Sequence, residues 1–396
     1  MRRGSTQGRL WICMLNILLV CAQGRVINWL RVLSCGTPRP VVYRCSSALV
    51  LMLMGVAFSG GAAGEPLPNH DLWRANTPWC AVDDNGKNSK LVLSCDAGSS
   101  SNAKPSAIAQ VGLCFPSKGG EEPTQPCDDG DMTLFNGLLC SAGFTEGCDA
   151  VANSQDSTSG RWYRSPRRRL LGPAGTANSF SPDMAIGVYH WLVSNPTSEN
   201  KRKFEQWLEW LAKNKRCLND DCSRQWPRFC PDDDVDQLGA EYGCTMRPGD
   251  LATLGIVAGT LGIVVKDAQI KSLSEKWKDS AITLAWVSAH TNEVGYSLHL
   301  SASVLFLYKR LGLVDAALSD AIESLYGRQP MNPFFAYLAG EKASAISLAV
   351  GECPANQQAV PPLGQRFQWS WERADSDKAW KKTMLWDCLF MSAKLQ

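Results

Sequence analysis

The stretch 131–143, DMTLFNGLLCSAG, decides how the chain is read. Met132, Phe135, Leu138 and Leu139 recur at helical spacing, so they share one face, and Gly143 stands where a helix would end. From Asp128 to the C-terminus, stretches of this kind follow one another. SPDMAIGVYHWLV (181–193) offers Ser181 as N-cap and Pro182 at the first helical position. KFEQWLEWLAKNK (203–215) groups Phe204, Trp207, Leu208 and Leu211 and closes on lysines, which suit a helix C-terminus. RPGDLATLGIVAGTLG (247–262) starts a helix at Pro248, and its Gly255 and Gly259 allow a neighbour to approach closely. Further helices are expected within 146–155, 271–290, 293–312, 315–327, 335–351 and 375–395, ten or eleven in all. The fold class is all-α.

Working outward, the chain divides into three parts. Residues 1–64 contain seven arginines and no acidic residue, whereas the remaining residues carry 33 basic and 38 acidic side chains, a net charge of about −5. A mildly acidic body argues against nucleic acid as a partner. Arg44, the apolar run Ser46 to Phe58 and the small residues Ala62, Ala63 and Gly64 have the order of a signal peptide cleaved before Glu65. The apolar run is short for a membrane span, so no stable span is expected after cleavage. A second apolar run, LWICMLNILLVC (10–21), precedes it. The expectation is that translation begins downstream, near Val41 or Val42; the alternative is an uncleaved N-terminal anchor.

Residues 65–127 are rich in Gly, Ser, Pro, Asn and Cys, with SKLVLSC (89–95) and AIAQVGLCF (107–115) as short strands between turns. This part reads as a small disulfide-stapled segment with too few apolar residues for a strong core of its own. Residues 128–396 form the helical body. Of the 16 cysteines, four fall before residue 65, leaving twelve. An even number suits up to six disulfides in an oxidising compartment, hence a periplasmic or secreted protein. Paired Cys-x-x-Cys spacings are absent and there are only four histidines, so neither a metal nor a cofactor is expected. The pairing is not legible, although Cys353 is a candidate partner for Cys388.

Polar residues open one helix in each block of the body: Asp131, Asp183, Asp250, Glu293, Asn332 and Asp375. Two antiparallel helices with their connections need about 40 residues, so this spacing suits a series of helical hairpins. Alternate helix starts would then ring one rim. An acidic residue in a first turn can simply stabilise the helix dipole, by about 0.3–1 kcal/mol. Carboxylates gathered on one rim can instead supply the acid and base of glycosidic-bond cleavage. Asp131, Asp183 and Glu372 are the candidate catalytic carboxylates.

In GRWYRSPRR (160–168), Trp162 and Arg164 are candidates to stack on a sugar and to hold an acidic group. The alternative is an arginine-rich loop packing through its aliphatic stems. In GYSLHL (295–300), His299 either lines a cavity with Tyr296 or is a core histidine. In QWSWERAD (368–375), Trp369, Trp371, Glu372 and Arg373 are read as cleft-lining, followed by a helix from Asp375. CPDDDVDQLG (230–239) is acidic but lacks the pattern of a calcium loop, and reads as solvated. No G-x-S-x-G elbow, phosphate-binding loop or H-E-x-x-H motif occurs.

The helical body with DGDMTLFNG, FSPDMAIG, GYSLHL and FQWSWERAD resembles exported bacterial proteins of the α/α-toroid, or six-hairpin, architecture. The resemblance covers about residues 128–396. It implies a toroid of helical hairpins preceded by the cysteine-rich segment. Its functional implication is an exported carbohydrate-active enzyme, a glycoside hydrolase acting on a poly- or oligosaccharide. The alternative is a non-catalytic glycan-binding or structural envelope protein on the same scaffold.

Overall fold

The computed structural model describes residues 65–95, 112–119, 127–172, 180–230, 244–366, 369, 372 and 383–396, and the backbone of Leu19–Ala22 and Arg25–Asn28. The chain separates into two units, residues 1–62 and 63–396. In the first, β1 (Leu19–Ala22) and β2 (Arg25–Asn28) pair antiparallel. The expected signal segment, Ser46 to Phe58, lies outside the described residues.

The second unit is mostly α-helical. After α1 (His70–Asn76), three short strands form an antiparallel sheet in the order β4-β3-β5: β3 is Trp79–Val82, β4 is Ser89–Val92 and β5 is Leu113–Pro116. The two expected strands are β4 and β5. The central strand β3 escaped notice because WCAV is only four residues long and buried throughout, so it shows no alternation. β6 (Lys118–Gly119) pairs with β7 (Cys127–Asp128) and leads into the helices. These are α2 (Met132–Ser141), α3 (Thr145–Asn153), α4 (Pro166–Leu171), α5 (Pro182–Ser194) and α6 (Ser198–Lys213). The short ribbon β8 (Arg216–Cys217) and β9 (Gln225–Trp226) follows. Then come α7 (Pro248–Leu261), α8 (Ala268–Lys278), α9 (Ala281–Thr291), α10 (Tyr296–Arg310), α11 (Ala316–Arg328), α12 (Pro333–Leu338), α13 (Lys342–Glu352) and α14 (Trp386–Leu395). Among the described residues this makes fourteen helices, and none is long and apolar enough to cross a membrane.

The count exceeds ten or eleven because two expected helices are each a pair and because α1 and α4 are short helices beyond the expected set. The chain turns at Asp279–Ser280 between α8 and α9, and at Gly340 (φ 86°) between α12 and α13. The last helix is shorter than expected. Leu385 has a left-handed backbone (φ 67°), so a helix running from Asp375 through this point is excluded; α14 starts at Trp386. The remainder of that expected helix, 375–382, lies outside the described residues.

Every residue of α2 is buried, as are Met184 through Leu192 of α5. A helix covered on all sides belongs in the middle of a domain. The two meet backbone to backbone. A Cβ built on Gly137 would stand 2.1 Å from the Gly187 carbonyl oxygen, and one on Gly187 would stand 2.1 Å from the Thr133 carbonyl oxygen. No side chain larger than hydrogen fits at either position. Gly255 plays a similar part between α7 and α8, where its Cβ would lie 2.9 Å from the Ser274 carbonyl oxygen; Gly259 meets only the flexible end of Lys278.

Around this pair the apolar side chains form two large clusters. One joins α2 to the helices from α9 onward, with Phe306, Phe334, Trp369 and Phe390 at its heart. The other joins α5 to α6 and α7, with Trp162, Trp191, Trp207, Phe204 and Phe229. Phe204, Trp207, Leu208 and Leu211 are buried there as their spacing requires. The N-terminal sheet packs on the helices: Trp79 meets Trp386 edge-on at 5.0 Å, and Trp386 Nε1 donates to the Pro78 carbonyl at 2.8 Å.

Six disulfides join Cys80–Cys127, Cys95–Cys114, Cys140–Cys148, Cys217–Cys222, Cys230–Cys244 and Cys353–Cys388. All twelve cysteines after residue 64 are thus paired, in keeping with an oxidising compartment.

The glycine contact is directly testable. Gly137→Ala or Gly187→Ala is expected to cost about 3 kcal/mol or more, because backbone rather than a movable side chain is in the way. Gly249→Ala on α7, whose Cβ would meet nothing within 4 Å, is expected to be neutral or stabilising by up to about 1 kcal/mol. Denaturant unfolding of the three variants checks both.

Candidate functional site

The glycine contact sets the starts of α2 and α5 side by side, and the site is built there. Asp131 precedes α2 with a left-handed backbone (φ 58°, ψ 16°) and makes no capping hydrogen bond with its side chain. A non-glycine residue in that conformation is uncommon, and an aspartate that declines to cap its helix is free for another purpose. Its carboxyl lies within hydrogen-bond reach of Asp183, in the first turn of α5. Tyr296, the first residue of α10, donates through Oη to Asp183 Oδ2 at 2.5 Å. Three helix starts therefore converge through three side chains.

Two basic residues and a third carboxyl complete the group. Lys118 of β6 pairs with Asp128 Oδ2 at 3.2 Å, and its ammonium lies 5.0 Å from the centre of the Phe135 ring. Arg164 is brought to the start of α2 by its own backbone: its carbonyl accepts from Thr133 N at 3.0 Å, while Thr133 Oγ1 donates to the Tyr163 carbonyl at 2.9 Å. Glu372 follows Trp369 in a turn closed by a 3.1 Å bond from Glu372 N to the Trp369 carbonyl. Its Oε1 is sealed from solvent and finds no partner among the described residues.

The charges of these groups act on one another. Burial and the adjacent Asp183 push Asp131 up to about 7, with Lys118 and Arg164 pulling the other way. Burial pushes Glu372 up to about 8 against the pull of Lys118, with Asp131, Asp387 and Asp183 adding to the rise. For Lys118, burial works against the charge, but Asp128, Glu372 and Asp131 outweigh it and hold the ammonium above the ordinary lysine value. Burial and the neighbouring carboxylates hold Tyr296 well above a free phenol, so it remains a donor. Near neutral pH the cluster therefore contains protonated and ionised carboxyls together, the condition for a group that both gives and takes protons.

The candidates read from the sequence separate as follows. Asp131, Asp183, Glu372 and Arg164 come together. Trp371 and Arg373 lie outside the described residues. Three require correction. Trp162 is 1 % exposed, wedged edge-on against Trp191 and Trp207, with Nε1 donating to the Val151 carbonyl at 2.8 Å, so it is a core residue and no sugar platform. Trp369 is fully buried and stacked on Phe135 at 5.3 Å, so it backs the site instead of walling a cleft. His299 is fully buried between Phe334 and Trp369, and burial lowers it to about 3; it is a neutral core histidine one turn beneath Tyr296.

Other polar groups are structural. Asp129 is buried and bound by Arg167 Nε at 3.1 Å, by Arg168 at 2.9 Å and by Ser165 Oγ at 2.6 Å. That accounts for Arg167 and Arg168, two of the four arginines of that loop. Asp250 serves its own helix start, accepting from Arg247 N at 2.7 Å. No group of three metal-ligating side chains occurs among the described residues.

Two members of the cluster were missed. Lys118 sits in CFPSKGG, where nothing distinguishes it from a surface lysine. Tyr296 was paired with His299 on one helix face, yet the tyrosine reaches the carboxyls and the histidine does not.

The raised carboxyls make a stability prediction. A carboxyl whose folded-state pKa lies above its unfolded value stabilises the fold fully below about pH 4, and that contribution is lost as pH rises through the folded value. For Asp131 and Glu372 the loss falls between about pH 4 and pH 8. Glu372→Gln is expected to match the wild type at pH 4 and to exceed it by about 2 kcal/mol at pH 9. Unfolding curves at the two pH values measure this; an equal difference at both would contradict it.

No protein-family model, no curated protein and no solved structure matches this chain.

Proposed function

We propose that the chain is an exported carbohydrate-active enzyme, a glycoside hydrolase whose acid and base come from Asp131, Asp183 and Glu372, on a toroid of helical hairpins. The observation that carries the reading is the meeting of these three carboxyls, two of them holding protons near neutrality, beside Lys118, Arg164 and Tyr296. A plain dipole role for Asp131 and Asp183 would not require their carboxyls to face each other. That arrangement is costly and is concentrated at sites that use it.

The contacts refine the roles. Paired carboxyls of retaining and inverting glycosidases stand roughly 5–10 Å apart. Asp131 and Asp183 are within hydrogen-bond reach, so they act as a single unit. Glu372 is then the second member. The dyad, with Tyr296 fixing Asp183, takes the role of base or nucleophile. Glu372, protonated at pH 7, is the acid that protonates the leaving oxygen. Arg164 holds an oxygen-bearing group of the substrate at the start of α2. Disulfides throughout the second unit support a periplasmic or extracellular setting.

The burial of Trp162 and Trp369 favours a second reading, a non-catalytic envelope protein, because it removes two expected sugar-stacking surfaces. Turnover separates the two. Purified protein is incubated with a set of bacterial polysaccharides and reducing ends are counted. Asp183→Asn and Glu372→Gln are each expected to lower kcat/KM by about 100-fold or more. Wild-type activity is expected to fall above about pH 8, as the acid Glu372 loses its proton. Wild-type rates in both variants would remove these residues from the chemistry; binding without turnover by any form would favour the second reading.

A further inference from the structure

Arg164 is left over when the charges around the carboxyl cluster are paired off. In its own loop, Arg167 and Arg168 are both held by Asp129. Across the cluster, Lys118 is held by Asp128. Among the described residues the Arg164 guanidinium has no carboxylate in ion-pair range and no hydrogen-bond acceptor. The residue is half-buried; its Nε is sealed from water, and its two terminal nitrogens are open to solvent. A guanidinium carries five N–H donors in a planar fork, and leaving them unpaired in a half-buried place costs stability.

Backbone contacts fix where it stands. Ser165 Oγ donates to Asp129 Oδ1 at 2.6 Å. Thr133 donates through N to the Arg164 carbonyl at 3.0 Å and through Oγ1 to the Tyr163 carbonyl at 2.9 Å. Segment 163–165 therefore runs antiparallel to 129–133, and Arg164 is registered beside Asp131 in the middle of that segment. Its neighbours Tyr163 and Ser165 are buried, so the anchor is firm. Burial pushes Asp131 up to about 7 and Glu372 up to about 8, so near neutrality neither offers Arg164 a full negative charge.

We infer that the substrate brings the missing anion: the site takes a saccharide that carries a carboxylate, a uronic-acid residue, and Arg164 is the residue that selects it. The inference rests on the glycoside-hydrolase reading and names its substrate class. One free guanidinium matches one charge, and its fork matches the two oxygens of a carboxylate. A phosphate carries more charge than one fork balances, and the cations nearest to Arg164 are already paired. A neutral sugar would leave the guanidinium without an ion partner.

Calorimetric titration of the Glu372→Gln protein, in which the proposed acid is removed, measures binding apart from turnover. The probes are the hexamers of galacturonate and mannuronate, the methyl ester of each, and cellohexaose and N-acetylated chitohexaose as neutral chains. A uronate hexamer is expected to bind. Its methyl ester, with the same rings and no charge, is expected to bind about tenfold or more weakly. Arg164→Gln, checked for folding by thermal melt, is expected to lose the same factor with the acid and nothing with the ester. Arg164→Lys, which keeps the charge without the fork, is expected to fall between. The inference is overturned if no uronate hexamer binds, if an ester or a neutral hexamer binds as tightly as the acid, or if Arg164→Gln binds the acid like the parent. The ester comparison leaves the protein unchanged, so it decides the matter even where Arg164→Gln does not fold. Binding of a uronate that depends on Arg164, with no hydrolysis by the wild type, would leave the specificity standing and defeat the catalytic reading alone. Hydrolysis of neutral chains only would do the reverse.

Discussion

The contact between Gly137 and Gly187 sets the geometry on which the rest depends. With no Cβ on either side, the axes of α2 and α5 come as close as two backbones allow, and their starts lie beside each other. Asp131 and Asp183 therefore cannot avoid facing one another. Any larger residue would push the helices apart and part the two carboxyls. A packing requirement in the middle of the unit thus becomes an electrostatic arrangement at its end.

That arrangement works against stability. Burying carboxyls against each other raises their proton affinity, and Lys118 and Arg164 oppose the rise without cancelling it. The left-handed backbone at Asp131, with no capping bond in return, adds local strain. Large apolar clusters and six disulfides hold the surroundings in place. An aromatic layer under the site, Trp369 on Phe135 with His299 and Phe390 beside it, keeps water from the back of the carboxyls. Low polarity there is what makes Glu372 a protonated acid at neutral pH instead of an ordinary carboxylate.

Asp183 is the hinge between two environments. On one side it meets Asp131 and Tyr296; on the other it borders a cavity of about 410 Å³. Two neighbouring acidic residues are spent otherwise. Asp250 caps α7 and Asp129 anchors three side chains of the arginine-rich loop, so both are used up in structure.

How much was legible varied by element. Helices such as α5, α6 and α7 were readable because apolar spacing, Ser or Pro starts and lysine ends are local signals, and the even cysteine count spoke for disulfides without their pairing. The three carboxyls were singled out from position alone. Burial was not readable. Trp162 and Trp369 have the composition of a binding wall, and only packing places them in the core, because a tryptophan's sequence neighbours do not say which side of it is covered. Lys118 was invisible for the same reason: it reaches the site from a separate strand pair. The sequence by itself determined the helical class and the polar helix starts, which depend on residues within a turn or two of each other. Only the tertiary structure decided which of those starts meet, because that rests on two glycines fifty residues apart allowing backbone to touch backbone.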